Sequence, residues 1–153
     1  MAITIDHVDR EILNALVEDS RISIVQLSER IGLSATPCKR RVARLQDMGL
    51  IAGYSVDIDR SVAGFGITAY VSVELERKDG EHISAFQRDV ALFEEVVTGT
   101  LMTGAQDFLL EVAVGSLEEY DAFLQNKLLK ADGVKNIKSR FALKKFINRP
   151  RLP

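Results

Sequence analysis

Residues 31–34, Ile-Gly-Leu-Ser, constrain this chain most, because they leave room for only a tight turn between two predicted helices. Ser23 begins the first of these helices, in a capping box with the glutamine three residues further on. Gly32 occupies the turn, where a positive φ is required, and Ser34 is the expected cap of the second helix. Asp6 can cap a further helix before this pair, so the pattern predicts a helix-turn-helix.

The second helix of the pair, residues 34–48, has one apolar and one basic face. Its apolar stripe is formed by Cys38, Val42 and Leu45. Thr36, Arg40 and Arg44 are spaced four residues apart and share the opposite face, with Lys39 beside them. A helix with hydroxyl groups near its N-terminus and long cations behind them can enter the major groove of DNA. We therefore predict six DNA-binding residues: Ser34, Thr36, Lys39, Arg40, Arg41 and Arg44.

The roles within this set stay open. Ser34 and Thr36 could each contact a phosphate or a base edge. For Ser34 the alternative is that it acts only as the helix cap. Lys39 and Arg40 are the best candidates for reading bases, whereas the other two arginines suit phosphates equally well. The whole chain has 20 Lys and Arg against 22 Asp and Glu. The indication of DNA binding is therefore the concentration of positive charge on one helix, rather than a basic total.

Five segments of this region resemble the Lrp/AsnC family, the leucine-responsive or feast/famine transcription regulators. They are DREIL at 9–13, RIS at 21–23, LSERIGLS at 27–34, TPC at 36–38 and RRV at 40–42. The resemblance continues through residues 49–54 into the second half and covers nearly the whole chain. It implies a DNA-binding regulator whose second domain serves effector binding and oligomerisation.

The second half reads as strand, helix, strand, strand, helix and strand, which is the ferredoxin-like order of an α+β fold. Residues 67–76 alternate apolar and polar side chains, as expected of a half-buried strand. The other predicted strands are 95–103, 108–114 and 134–147. The first helix places Ile83, Phe86 and Val90 inward. The second begins at a capping box at Ser116 and places Leu117, Tyr120, Leu124 and Leu128 inward.

Three regions follow from these patterns. We predict a winged helix-turn-helix DNA-binding domain over residues 1–52 and a ferredoxin-like effector-binding and oligomerisation domain over residues 67–153. Residues 53–66 are expected to form a strand and an interdomain linker. The strand is indicated by Val56 and Ile58, which alternate with polar residues, and the bend by Gly64 and Gly66.

A loop at residues 104–107, Gly-Ala-Gln-Asp, suggests an effector site. Gly104 lets a ligand carboxylate approach backbone amides, and Asp107 offers a carboxylate to an α-ammonium group. The same residues also suit an ordinary hairpin turn. The family resemblance favours the effector site, because the family's Gly-x-x-Asp motif helps form a pocket at contacts between subunits. The candidate effector residues are therefore Leu101, Thr103, Gly104, Asp107, Arg140 and Phe141.

An enzyme is the main rival class, and the sequence does not favour it. His7 and His82 have no acid or cysteine at ligand spacing, so no metal site is expected. Cys38, the only cysteine, falls on the apolar stripe and reads as a core residue. There is no glycine-rich phosphate loop. We expect no cofactor and one small-molecule effector, an amino acid.

The expected partners are double-stranded operator DNA and further copies of the chain. One small DNA-binding unit reads few base pairs, so a homodimer is the minimum, and the resemblance implies assembly to an octamer. An exposed strand face at Thr68, Tyr70 and Ser72 suits such pairing. No signal peptide or membrane span is recognisable, so we expect a cytoplasmic, nucleoid-associated protein. An architectural DNA-compacting protein without ligand response remains the alternative.

Overall fold

The computed structural model describes residues 4–147, which form two compact units. The first contains the described residues up to Asp57, and the second covers Ile58–Phe146. The division at 57/58 falls inside the segment predicted to be a strand and linker. No helix within residues 4–147 is long and apolar enough to span a bilayer.

The first unit contains three helices: α1 at His7–Glu18, α2 at Ile24–Ile31 and α3 at Ala35–Asp47. Two of the three predicted N-terminal caps, at Asp6 and Ser23, are present. Asp6 and Asp9 form a reciprocal capping box at α1, and Ser23 and Gln26 form another at α2. Gly32 ends α2 with a φ of 73°, the left-handed conformation predicted for the turn. The local signals therefore fix the boundaries of the helix-turn-helix.

The core of this unit is formed by the apolar faces of all three helices. Its fully or almost fully buried members are Ile12, Leu13, Ala15, Leu27, Cys38, Val42 and Leu45. Cys38 is buried in this core, as predicted, and burial raises the pKa of its thiol. The burial of Cys38, Val42 and Leu45 fixes which side of α3 faces outward.

The second unit is a four-stranded antiparallel sheet with two helices. Its elements are β1 at Ile67–Leu75, α4 at Gly80–Val90, β2 at Val96–Leu101, β3 at Phe108–Val114, α5 at Leu117–Asn126, a 3-10 turn at Leu128–Lys130 and β4 at Val134–Phe141. The strand order β2-β3-β1-β4 is the predicted ferredoxin-like arrangement. Alternate residues of β1 and β3 form one core with Phe86 of α4 and Phe123 of α5. One face of the sheet is thus covered by helices.

Three details of the sequence prediction are wrong. Residues 52–58 form no strand, and Val56 and Ile58 are exposed, because no strand within residues 4–147 pairs with this segment. The last strand ends at Phe141 instead of residue 147. Its partner β1 begins at Ile67, and Phe141 already lies opposite Ala69, so little of β1 remains to pair with.

The third concerns α5. Leu117 is the first residue of the helix and is exposed, whereas Phe123 is the buried residue that the pattern missed. Ser116 caps the helix, but the carboxylate of Glu119 accepts from the amide of Gly115, so the box is not reciprocal.

Candidate nucleic-acid interface and effector pocket

The outward side of α3 presents a short run of exposed polar residues. Thr36, Lys39 and Arg40 are all exposed, on the side away from the buried stripe. Neither Lys39 nor Arg40 forms an ion pair with any residue in the described part of the chain. Both cations are therefore available to phosphates or base edges.

Ser34 occupies the cap position of α3 but makes no capping hydrogen bond through its side chain. Its backbone is extended, with φ −80° and ψ 157°, as expected of an N-cap residue. The interpretation of its hydroxyl as a cap is therefore wrong for this structure. The hydroxyl lies exposed at the N-terminus of the helix, where the aligned peptide dipoles favour an anion.

Arg41 and Arg44 are held by carboxylates of α1. Asp9 is fully buried, and its two oxygens accept from Arg41 Nη1, at 2.9 Å, and from Arg44 Nη2. Arg41 Nη1 also donates to Asp6 at 2.6 Å. The pKa of Asp6 is lowered most by the hydrogen bond from the Asp9 amide and next by that from Arg41. The carboxylates of Asp6 and Asp9 in turn raise the pKa of Arg41.

The helix geometry explains why the predicted basic face divides. Each four-residue step turns the helix by about 40° beyond a full turn, so Arg44 lies about 80° round from Thr36. This rotation carries Arg44 from the outward side to the flank that contacts α1. The four-residue spacing places Arg44 next to Thr36 and Arg40 on the helix, as predicted. The side chain of Arg44, however, is bound by Asp9 of α1 and not directed outward with theirs.

The predicted effector residues do not all meet in one place. Leu101 lines a groove beside α4, with Phe86 and Val90. Phe141 makes an edge contact with Tyr120 of α5, their ring centroids 5.0 Å apart, on the helix-covered face of the sheet. Neighbouring residues of a strand point to opposite faces, so Arg140 and Phe141 cannot line one pocket.

Asp107 is directed into its own unit. Its Oδ2 accepts from the amide of Leu75 at 2.9 Å, and its Oδ1 lies 3.1 Å from Lys78 Nζ. Burial acts to raise the pKa of this carboxyl, but the bonds from Leu75 and Lys78 outweigh it and hold the pKa below its usual value. Gly104, with a φ of 111°, is exposed in the adjoining turn. The carboxylate that the sequence pattern assigns to a ligand ammonium group is thus already bound within its own unit.

Two of the six candidates, Thr103 and Arg140, line one cavity of about 690 Å³. The cavity lies beside the 102–107 loop, and Ser72, Gln106 and Lys138 also line it. Arg140 Nη2 donates to Ser72 Oγ at 3.0 Å. Sequence reasoning missed Lys138, although its two-residue spacing from Arg140 places both cations on the same face of β4. The cavity thus combines two cations with hydroxyl and amide groups.

Comparison with known proteins agrees with both units. Residues 5–52 match the family model described as a winged helix-turn-helix DNA-binding domain, and residues 68–152 match the Lrp/AsnC ligand binding domain. The chain is 38% identical over 149 residues to the Bkd operon transcriptional regulator of Pseudomonas aeruginosa, covering 97% of each. It is 36% identical over 135 residues to the leucine-responsive regulatory protein of Escherichia coli, covering 88% of this chain and 82% of the relative.

A solved structure extends the likeness to the whole fold. A transcriptional regulator from Neisseria meningitidis, in complex with L-Met, superposes with a TM-score of 0.92 at 32% identity and covers 98% of this chain and 97% of its own. The fold and the exposed cations of α3 define a DNA-binding transcription regulator with a separate ligand-binding domain. The chain belongs to the Lrp/AsnC family.

Proposed function

We propose that the chain reads operator DNA with the first half of α3. The observation that carries this proposal is the exposure of Lys39 and Arg40, without ion pairs in the described chain, on the side of the helix opposite its buried stripe. These two cations suit base edges, where a lysine or arginine pairs with guanine. Ser34 and Thr36 suit a phosphate at the helix N-terminus. Arg41 and Arg44 fall outside this set, because α1 binds them.

The DNA proposal is tested by Arg40→Gln. On random-sequence DNA, which offers no matching base edge, Arg40 pairs with a phosphate, and its loss makes log K fall less steeply with log salt, by about one unit of slope per DNA-binding unit. Arg10→Gln is the matched control, because Arg10 is exposed on α1 of the same unit and forms no ion pair in residues 4–147. Fluorescence anisotropy with a random-sequence duplex at several salt concentrations measures both slopes. Equal slopes for Arg40→Gln and the unaltered protein would refute the assigned surface.

For the second unit, we propose that it binds an amino acid in the cavity beside the 102–107 loop. Arg140 and Lys138 suit the ligand carboxylate, and Thr103 and Gln106 supply further hydrogen-bonding groups. The L-Met complex of the Neisseria meningitidis regulator and the name of the leucine-responsive relative support this class of ligand. In this proposal Gly104 shapes the loop, and Asp107 holds it in place.

A thermal-shift screen against the twenty amino acids tests the effector proposal. A ligand that binds only the folded protein raises Tm, and Arg140→Gln should abolish that rise. Arg88→Gln is the matched control, since Arg88 is exposed on α4, away from the cavity. If no amino acid changes either Tm or DNA retention, the alternative of an architectural DNA-compacting protein is favoured instead.

We propose further that the working state is a homodimer that assembles to an octamer on the nucleoid. Two DNA-binding units on a two-fold axis read two half-sites, which one unit cannot do. The unpaired segment with exposed Val56 and Ile58 supports association, because such apolar surface is usually covered. Light scattering at micromolar concentration tests this proposal. A uniform monomer would contradict it.

A further inference from the structure

The N-terminus of α1 contains a buried acid that the DNA-binding proposal does not use. Asp9 is 0% exposed, although it is the third residue of a helix that begins at the surface. A buried carboxylate is costly unless it is paired and hydrogen-bonded. Asp9 meets both conditions, since it accepts from the amide of Asp6 at 3.1 Å and from the two arginines of α3. No described side-chain polar atom is left buried without a partner.

The capping box and the three ion pairs form one connected network. Asp6 accepts from the amide of Asp9 at 2.8 Å and from Arg41 at 2.6 Å, so both acids of the box also contact α3. Arg41 is therefore held by two carboxylates, whereas Arg44 is held by Asp9 alone. Removal of the Asp9 charge would release Arg44 and leave Arg41 bound to Asp6.

The fate of Arg44 matters because half of its side chain is accessible. The side chain of Arg44 is 47% exposed, and that of Arg41 is 30% exposed. Arg44 lies on the flank of α3 next to the outward face, so an unbound guanidinium there reaches toward the same DNA backbone as Arg40. A phosphate contact adds affinity for every sequence alike, so an unbound Arg44 would raise binding to random DNA without improving discrimination between sequences.

We propose that Asp9 is a positioning residue that sets the non-specific DNA affinity of α3, because it holds Arg44 away from phosphates and fixes the helix against α1. This inference rests on the proposed DNA-binding role of α3. It assigns the four cations of the helix to two classes. Lys39 and Arg40 meet DNA, and Arg41 and Arg44 fasten the helix to the rest of the unit.

The test compares salt slopes for a random-sequence duplex and for a duplex selected from a random pool by the unaltered protein. Asp9→Asn keeps an oxygen that can accept from the Asp6 amide but loses the charge, so that oxygen binds Arg44 only as a neutral acceptor, which is weaker than the charge-assisted pairing of the guanidinium with a phosphate. The substitution should steepen the slope on random DNA by about 0.9 per DNA-binding unit, the value for one added phosphate contact. The slope on the selected duplex should steepen by the same amount, so the ratio of the two affinities should stay unchanged. Adding Arg44→Gln to Asp9→Asn should restore the original slope.

Asp19→Asn is the charge-matched control. Asp19 lies at the other end of α1, and its side chain accepts only from the amide of Arg21, which asparagine can also serve. The slope of this variant should equal that of the unaltered protein. An equal steepening in Asp19→Asn would show that net charge alone is responsible and would overturn the role of Asp9.

Arg44→Gln in the otherwise unaltered protein tests the proposed role of Asp9 even if Asp9→Asn does not fold. If Asp9 holds Arg44 away from DNA, this variant keeps the original slope, whereas Arg40→Gln loses about one unit. Equal losses in both variants would overturn the inference and leave the proposed DNA surface standing. No loss in Arg40→Gln would instead refute the proposed surface, so the two failures are distinguishable.

Discussion

Replacement of Asp107 by alanine should destabilise the sheet unit at its β1–β3 end. The carboxylate of Asp107 accepts from the amide of Leu75, where the β1–β4 ladder shifts register, and so completes the pairing of β1 by means of a side chain. The backbone of Asp107 donates to Val73 at 2.9 Å and accepts from Met102 at 2.8 Å, and alanine keeps both bonds. The substitution therefore isolates the side-chain contribution.

The expected magnitude follows from two losses. Leu75 is 1% exposed, so its amide would be left buried without an acceptor, which costs about 1–3 kcal/mol. The ion pair with Lys78, whose side chain is 48% exposed, adds about 0–1 kcal/mol. We expect a total loss of about 1–4 kcal/mol in the free energy of unfolding of this unit. Asp107→Asn keeps an acceptor oxygen and should lose about half as much.

Hydrogen exchange at the paired backbone amides of β1 and β3, whose acceptors the substitution does not alter, measures this effect in the second unit alone. A loss of about 2 kcal/mol corresponds to roughly 30-fold faster exchange through opening of the structure. The pKa of Asp107 lies below its usual value, so its stabilisation is fully present above about pH 4 and unaffected by the assay at pH 7. Unchanged exchange together with a lost amino-acid response would refute the structural role and restore the ammonium-binding role expected from the sequence.

Three further predictions concern stability. Gly32→Ala should cost about 1–2 kcal/mol in urea unfolding, because alanine must adopt a φ of 73° while meeting no atom within 4 Å. Gly115→Ala should cost about 1–3 kcal/mol in the same assay, since the new methyl would lie 2.8 Å from the carbonyl oxygen of Gly64. The side-chain hydrogen bond with His82 lowers the pKa of Asp79 to about 2, so its stabilisation should disappear between about pH 4 and pH 2, measured as a falling urea midpoint.

The glycine predictions share one control. Gly53 and Gly66 have no positive φ and open space around an added methyl, so alanine at either position should change the free energy of unfolding by less than about 0.5 kcal/mol. If alanine at Gly32 or Gly115 lowers the free energy of unfolding no more than in these controls, the predicted strain at Gly32 or the predicted clash at Gly115 is wrong. For Asp79, the decrease below pH 4 should be smaller in Asp79→Asn, and an unaltered pH profile in that variant would exclude the carboxyl as its source.

The sequence predicts the fold well where the signal lies within a few residues. The capping boxes at Asp6 and Ser23 locate α1 and α2, since each cap satisfies amides three residues away. The alternation of residues 67–76 likewise locates β1. The prediction fails where a distant partner decides. The last strand stops at Phe141 because β1 offers few further residues, and nothing in its own sequence records that limit.

The candidate sites show the same division in chemical terms. The pattern of α3 locates a basic helix, but the acid that binds Arg44 lies 35 residues earlier in the chain. The pattern of the 104–107 loop identifies the carboxylate of Asp107. The amide that donates to it, that of Leu75, lies 32 residues earlier in the chain. In both cases the residue type is recognised from the sequence, and the availability of its charge depends on folding.

The ion pairs of Arg41 and Arg44 change the expected strength of non-specific DNA binding. Counting the four cations of α3 from the sequence gives a salt slope of about −3.6 per helix, whereas the two without ion pairs give about −1.8. A dimer doubles either value, so the two counts differ by about 3.6 units of slope. Non-specific binding depends almost entirely on such contacts, whereas base reading depends on a few well-placed groups. If the proposed surface is correct, pairing of Arg41 and Arg44 with Asp6 and Asp9 should reduce affinity for random DNA, while Lys39 and Arg40, which form no ion pair within residues 4–147, discriminate between sequences.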